Sequence, residues 1–384
     1  MTQLGEAAGI SSAADLAELR SSVRDFLAAK SGEQQVRAAI ETERGYDEDL
    51  WREMASQLGL AGLALPEKYG GDGFGFTELQ VVLEELGRAL TPSPFFASVV
   101  LAAGAILAAG DEAAAQAYLP GIASGQTTAA LAVAESAGLW SFRQLAATAR
   151  PAGDGDGWRL AGTKQFVLHG ATADLLIVAA QTGQGPGFFA VRPGHCGPTL
   201  TRTALRTLDL TRPMAAIQFS DTPAVLIGAA GAAGPALDTV LDLAMTALAA
   251  EQAGAARACL EASAAYARER HQFGRPIGSF QAVKHKCADM LVKVELAQAA
   301  ATEAARAAAG DPEAAPLPQA AAVAHAVCSE SLMFVAAENI QVHGGIGFTW
   351  EHPAHLYFRR AKASQLMFGG PGFYFEHLLG RAGL

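Results

Sequence analysis

Apolar positions recur at helical spacing through both ends of the chain and shift to short runs in its middle. Leu16, Leu19, Val23 and Phe26/Leu27 share one face of residues 12–30, which predicts an amphipathic helix. Helices are also predicted over 47–58, Thr77–Leu90, Pro94–Ala109 and Glu112–Ala123, with a break at Leu60–Phe74 where Pro66 and repeated glycines interrupt the period. From about Thr128 the pattern is that of strands. Ala129–Ala134, Trp158–Leu160, Lys164–Val167, Asp174–Ala180, Gly187–Val191 and Ala215–Phe219 are apolar runs with Gly and Asp between them. The helical period returns at Gly234, with one helix of roughly 35 residues to Arg270 and others over Phe280–Ala309, from the break at Asp311–Pro318 to near Val342, and over Pro353–Met367. In the second of these, Val283, Cys287, Met290/Leu291 and Val294 form one apolar stripe, as a bundle helix needs. Ala-rich Ala304–Ala315 reads as a helix end and an exposed turn.

The pattern therefore predicts a mainly α protein with a central β-domain: a helical domain at 1–126, a β-domain at 127–232 and a helical bundle at 233–384. The strand–helix alternation of a Rossmann domain is missing, and no G-x-G-x-x-G follows a strand.

Composition narrows this picture. The chain has 384 residues, 51% hydrophobic and only 17% charged, which favours buried helix–helix surfaces over disorder. A net charge of −10 argues against a nucleic-acid partner, because phosphate backbones call for a basic field. Cys196, Cys259, Cys287 and Cys328 are widely spaced without metal-ligand spacing, so no metal is expected and the thiols read as reduced core residues. Asp15, Glu18 and Arg20 fall inside the first helical pattern, so no secretory signal is evident. No uninterrupted apolar run reaches the roughly 18 residues of a membrane span, and the expectation is a cytoplasmic protein.

The candidate chemistry starts at Arg268–Lys286, RERHQFGRPIGSFQAVKHK. It closes one helix, turns through Gly274, Pro276 and Gly278, and opens another. Arg270 offers a planar fork of donors to a phosphate, each charge-assisted contact being worth roughly 1.5–3 kcal/mol. An ordinary loop whose Arg settles the helix dipole accounts for the same pattern. The wording of the stretch shifts the balance toward the phosphate reading. R-x-Q-F-G-R-P-I-x-x-F-Q, followed by Gln341–Gly347 (QVHGGIG) and a Glu-x-Pro at Glu351–Pro353, resembles the acyl-CoA dehydrogenase family. The resemblance covers nearly the whole chain and is strongest in its C-terminal half.

That resemblance implies an acyl-CoA dehydrogenase-like fold and an oxidoreductase of fatty acid and lipid metabolism. It would hold flavin adenine dinucleotide (FAD), act on an acyl-CoA thioester and pass electrons to an electron-transfer flavoprotein. It also implies that Arg270, Gln272 and Phe273, with Gln341, Gly344 and Gly345, hold the pyrophosphate and adenylate end of the flavin of a neighbouring subunit. The assembly would be a homotetramer, or a heterotetramer with a second acyl-CoA dehydrogenase-like chain. The isoalloxazine end would lie against the β-domain, where Glu135, Phe166 and Leu168 match family positions. Here the chain departs from the family pattern: Trp140 falls where a cofactor-contacting Ser sits, and Leu168 replaces a hydroxyl residue. The two positions that usually carry the general base align with Phe368 and Ala244, neither of which can serve. Glu251 is the remaining candidate, on a stripe of Leu237, Leu241, Ala244, Leu248, Glu251, Ala255 and Cys259; a buried glutamate paired with a basic residue, or packing at a subunit interface, accounts for it equally. His271 and His343 read as local structure.

Three functions follow. The chain is an active flavoenzyme, a partner subunit that completes a neighbour's flavin site, or a binding protein that has lost the flavin. The intact Arg270, Gln272 and Gly345 argue against the last.

Overall fold

The computed structural model describes residues 11–136, 138, 140, 145–153, 157–370, 372 and 379. Two compact units form among the described residues, one within 38–76 and 92–244, the other within 11–37, 77–91 and 245–370.

The first unit is built on a seven-stranded sheet. Its strands are β1 (Ala129–Ala132), β2 (Thr148–Pro151), β3 (Trp158–Leu168), β4 (Leu175–Thr182), β5 (Gly185–Val191), β6 (Leu200–Ala204) and β7 (Met214–Ile227). The order β1-β4-β2-β3-β7-β5 closes on itself because β4 also pairs with β5, and β6 adds to β7, so the sheet is a small barrel. Phe189, Leu160, Leu176, Val178, Ile217 and Phe219 fill its interior. The helices of this unit include α3 (Glu48–Ser56), α5 (Ala103–Ala108) and α6 (Glu112–Ala123). Asp111 caps α6 by accepting from Ala114 N at 3.0 Å, and its other oxygen accepts from Gly228 N at 2.8 Å.

In the second unit, α1 (Ala13–Lys30) and α4 (Phe76–Ala89) join α8 (Gln281–Ala308), α9 (Leu317–His343) and α10 (Ala354–Leu366). With them runs the C-terminal part of α7 (Ala233–Glu269). Ser12 and Asp15 form a capping box at the start of α1. Arg20 and Arg24 of α1 reach the buried carboxylates of Glu84 and Glu85 on α4. α4 and α7 touch backbone to backbone: a Cβ on Gly87 would lie 2.1 Å from Glu251 O, and one on Gly254 would lie 1.9 Å from Glu84 O. Only glycine at both places permits that approach. Farther along, Cys259, Met290, Val294, Leu332 and Val335 pack α7, α8 and α9 together. All four cysteines are free thiols, and three of them are buried.

The helices fall close to their expected places, and the elements that the pattern did not mark include α2 (Glu33–Ile40), β2 and β6. The two runs expected around Leu160 and Lys164 are one continuous strand, β3. Pro94–Ala109 starts with a π-helical stretch, Phe96–Ala102, every residue of which is buried. α7 and α9 are long and apolar enough to cross a membrane by length and composition, but 72% and 67% of their most apolar windows are buried within the fold. They are core helices of the bundle.

Candidate functional site

α7 ends by handing its last amide, Arg270 N, to Tyr266 O at 2.8 Å. The chain then forms a tight hairpin of β8 (His271–Gln272) and β9 (Arg275–Pro276). Its two turn residues, Phe273 and Gly274, have φ of 53° and 75°, the left-handed backbone that two-residue hairpins favour. Arg275 lies 4.0 Å over the ring of Phe280, which braces the base of the hairpin. A Cβ on Gly278 would lie 2.8 Å from Ala267 O, so the following turn lies directly against α7. Arg270 and Gln272 are exposed, and Phe273 is 92% exposed. Among the described residues no carboxylate pairs with Arg270.

The Gln341–Gly347 motif forms the end of α9. Gly344 has φ 64° and ψ −137°, and its N–H donates to Ile340 O at 3.1 Å. A Cβ built on Gly344 or Gly345 would meet nothing within 4 Å, so this turn presents open backbone. Gln341 is exposed on the last helical turn. His343, buried, shares a hydrogen between Nδ1 and Asn339 O at 2.8 Å and sits between two rings, Tyr266 at 4.4 Å and His352 at 4.3 Å. Tyr266 is one turn before Arg270, and His343 directly precedes Gly344. The structure therefore brings the two sequence motifs together within one unit. His271, by contrast, makes only a local contact, Nδ1 to Glu269 O at 3.0 Å.

The β-domain residues form a second group. Glu135 accepts from Ala146 N at 2.7 Å, Ala147 N at 2.9 Å and the fully buried Lys164 Nζ at 2.7 Å. Burial alone raises the carboxyl's pKa, but the Lys164 and backbone bonds outweigh it and hold Glu135 below the usual carboxylate value. On β3 the pairing with β7 jumps from Lys164–Ile217 to Val167–Ala215, so two residues oppose one in a bulge. Phe166 occupies it at φ 55°, a conformation that costs a non-glycine residue about 1–2 kcal/mol. The bulge leaves Phe166 43% exposed, and the open side of Gly138 lies 3.6 Å from its ring. Leu168 and Trp140 are buried, at 2% and 8% exposure. The rest of the Trp140 segment, residues 141–144, lies outside the described residues.

Glu251 is on α7 about five turns before Arg270, roughly 28 Å along the helix. It is buried, with Arg360 Nη1 at 3.7 Å, in a space lined by Gly87, Gln252, Ala255, Leu332 and Ser364 that admits no water-sized sphere. The structure does not bring it to the Arg270 hairpin. Ala244 is fully buried, and Phe368, buried, sits at φ 62°. Glu351 belongs to the second unit, where its carbonyl accepts from Arg37 at 3.1 Å. Lys164, Tyr266 and His352 are the residues that sequence reasoning missed. Only Tyr266 carries a local signal, a ring one turn from the Arg motif.

An exposed arginine that no carboxylate pairs among the described residues, together with an open pair of glycines at the end of α9, fits a diphosphate-bearing group such as FAD. The β-domain fits the flavin ring less closely: Phe166 presents an aromatic face, whereas Leu168 brings no hydroxyl.

The fold, a central β-domain with a helical bundle, is that of an acyl-CoA dehydrogenase-like oxidoreductase. The family model of the acyl-CoA dehydrogenase N-terminal domain matches residues 13–126, and that of the C-terminal domain matches residues 235–372. The chain belongs to the acyl-CoA dehydrogenase family. It is 37% identical over 355 residues to acyl-CoA dehydrogenase IpdE2 of Mycobacterium tuberculosis, with 92% of each chain covered. Among solved structures, the Tcur3481-Tcur3483 steroid ACAD G363A variant is similar at TM-score 0.84 and 36% identity, over 95% of this chain and 96% of that one. The ChsE4-ChsE5 complex from Mycobacterium tuberculosis is similar at TM-score 0.85 and 32% identity, over 97% of each chain.

Proposed function

We propose that this chain is a subunit of a FAD-dependent acyl-CoA dehydrogenase whose Arg270 hairpin and Gly344–Gly345 turn hold the diphosphate end of a neighbouring subunit's flavin. One observation carries the reading: Arg270, Gln272 and Phe273 stand out from their own unit on a braced hairpin, and Arg270 has no counter-ion among the described residues. When bound, the flavin supplies the two-electron acceptor for the β-hydride of the acyl thioester. Arg270 contributes a planar fork of N–H donors, and the turn after α9, whose Gly344 N–H is already used by the helix end, contributes open backbone at Gly345. Replacing Arg270 with Ala should lower the flavin content of the assembled protein; unchanged flavin content sinks the role.

Glu251 is the base proposed for the α-proton if the chain runs the chemistry itself. The other reading is a subunit that completes its partner's site, with the electrons leaving through an electron-transfer flavoprotein that the assembly docks. Specific observations favour it. Ala244 and Phe368 occupy the usual base positions, Leu168 removes a hydroxyl from the flavin side, and Arg360 stands beside Glu251 in a space with no room for water. Two of the similar structures are described by paired chain names, and one of these as a steroid ACAD, which supports a heteromeric assembly and a bulky polycyclic acyl group. Such an assembly would work in the cytoplasm. The flavin-to-chain ratio and solution mass of the protein expressed alone separate the readings. A tetramer with about one flavin per chain supports the self-sufficient enzyme. Flavin uptake only in the presence of a second dehydrogenase-like chain supports the partner subunit.

A further inference from the structure

We propose that the ring stack Tyr266–His343–His352 is an acid-sensitive clasp that positions the Arg270 hairpin against the Gly344–Gly345 turn, with His352 as the positioning residue that acid opens. The inference rests on the diphosphate reading above. Its geometry is independent of that reading. Tyr266 leads by one turn to Arg270, His343 adjoins Gly344, and the two rings are 4.4 Å apart. His352 closes the stack from the other side at 4.3 Å. Among the described residues no hydrogen bond joins the hairpin to the glycine turn. The link between the two motifs is the stacked rings, backed on α7 and α9 by Ser263 Oγ donating to Asn339 Oδ1 at 2.9 Å.

His352 also holds the start of α10. Its Nδ1 accepts from Ala354 N at 3.2 Å, which requires a nitrogen without a proton. Protonation would remove that acceptor and set a positive charge against the positive end of the helix dipole. It would also place that charge against His343, while His355 and Arg37 add to the repulsion and Glu33 opposes it. Burial and these neighbours hold the His352 imidazole below its ordinary value of 6.5. A histidine depressed in the closed state stabilises that state fully above its ordinary pKa and progressively less as pH falls below it. The clasp is therefore closed in neutral solution and opens in mild acid, and the glycine turn loses its register with Arg270 as it opens.

The test compares wild type, His352→Phe and His352→Ala as the flavin-loaded assembly, dialysed at about pH 8 and about pH 5.5, either side of the histidine pKa. Retained flavin and subunit mass are measured, and the flavin-free proteins are melted at both pH values. Wild type should lose flavin several-fold more at the acid pH. His352→Phe keeps a ring in the stack and cannot be protonated, but it lacks the Nδ1 acceptor for Ala354 N, so its retention should sit below wild type at the higher pH, vary little with pH, and show a smaller acid drop in melting temperature. His352→Ala should lose more flavin than His352→Phe at both pH values, because it also deletes the ring. Equal acid sensitivity in His352→Phe and wild type, in both readouts, overturns the clasp. Arg270→Ala tells the two failures apart: if it strips the flavin while His352→Phe behaves as wild type, only the clasp falls. If Arg270→Ala changes nothing, the diphosphate reading falls, and the melting curves alone still decide the acid response of the stack.

Discussion

Lys164 Nζ, with no exposed surface, lies 2.7 Å from Glu135 Oε1 and 3.0 Å from the carbonyl of Val133. The pair ties β3 to the chain that leaves β1, and the same carboxylate accepts two amides just ahead of β2. Lys164→Met removes a buried cation from a carboxylate that stays in place. Breaking such a pair costs about 3–5 kcal/mol, so a large drop in chemical-denaturation midpoint is expected. A midpoint equal to that of wild type would show that the pair is dispensable.

Acid should weaken the same joint. Glu135 is held below the ordinary carboxylate value of 4.5, so its stabilising share is complete above that pH and is lost as pH falls through the depressed folded-state pKa. Comparing Glu135→Gln with wild type across an acid melting series isolates this share. The two curves should converge toward the acid end.

Gly254→Ala would place a methyl 1.9 Å from Glu84 O, and Gly87→Ala one 2.1 Å from Glu251 O. Neither carbonyl can move without its helix, so each substitution should destabilise the bundle by at least about 1–3 kcal/mol. The double variant should cost less than the sum, because one helix shift relieves both clashes. Strict additivity in calorimetry would show that the two contacts are separate.

Phe166→Gly separates strain from use. It relieves a left-handed residue in the bulge, worth about 1–2 kcal/mol, and deletes the exposed ring. Stability should hold or rise slightly while flavin affinity falls. A loss of stability without any change in flavin binding would assign Phe166 to the barrel alone.

Glu251→Gln should abolish flavin reduction by acyl-CoA, with the flavin still bound, if Glu251 is the base. Reduction at the wild-type rate in a stopped-flow trace leaves Glu251 as the partner of Arg360 only.

The bundle was legible because its helices bury one stripe each: Val23 and Leu27 on α1, or Met290 and Val294 on α8, lie where a 3.6-residue period puts them. The barrel was legible where its strands are apolar throughout, as in β4. It was not where a strand is polar and exposed: Thr148–Pro151 and Leu200–Ala204 have no buried alternation to read. β3 looked broken at Gly162, whose φ of 129° lets its backbone lie against Ala147. Of the site, the Arg270 turn and the Gly344–Gly345 pair could be read as motifs, because backbone conformation dictates glycine locally. Lys164 under Glu135 and His352 against His343 could not. Lys164 is 29 residues from Glu135, and His352 meets His343 across the turn that follows α9, so neither contact falls on a helical or strand period.

On the single chain, Phe273 is 92% exposed, Phe348 87% and Trp350 70%. Aromatic surface of this kind drives self-association, and only like-charge repulsion opposes it. With a net charge of −10, that repulsion comes from carboxylates and fades in acid or concentrated salt. The colloidal behaviour of the free chain thus reports on assembly: an aromatic face already covered by another subunit has nothing to precipitate, whereas the same face left bare should salt out first.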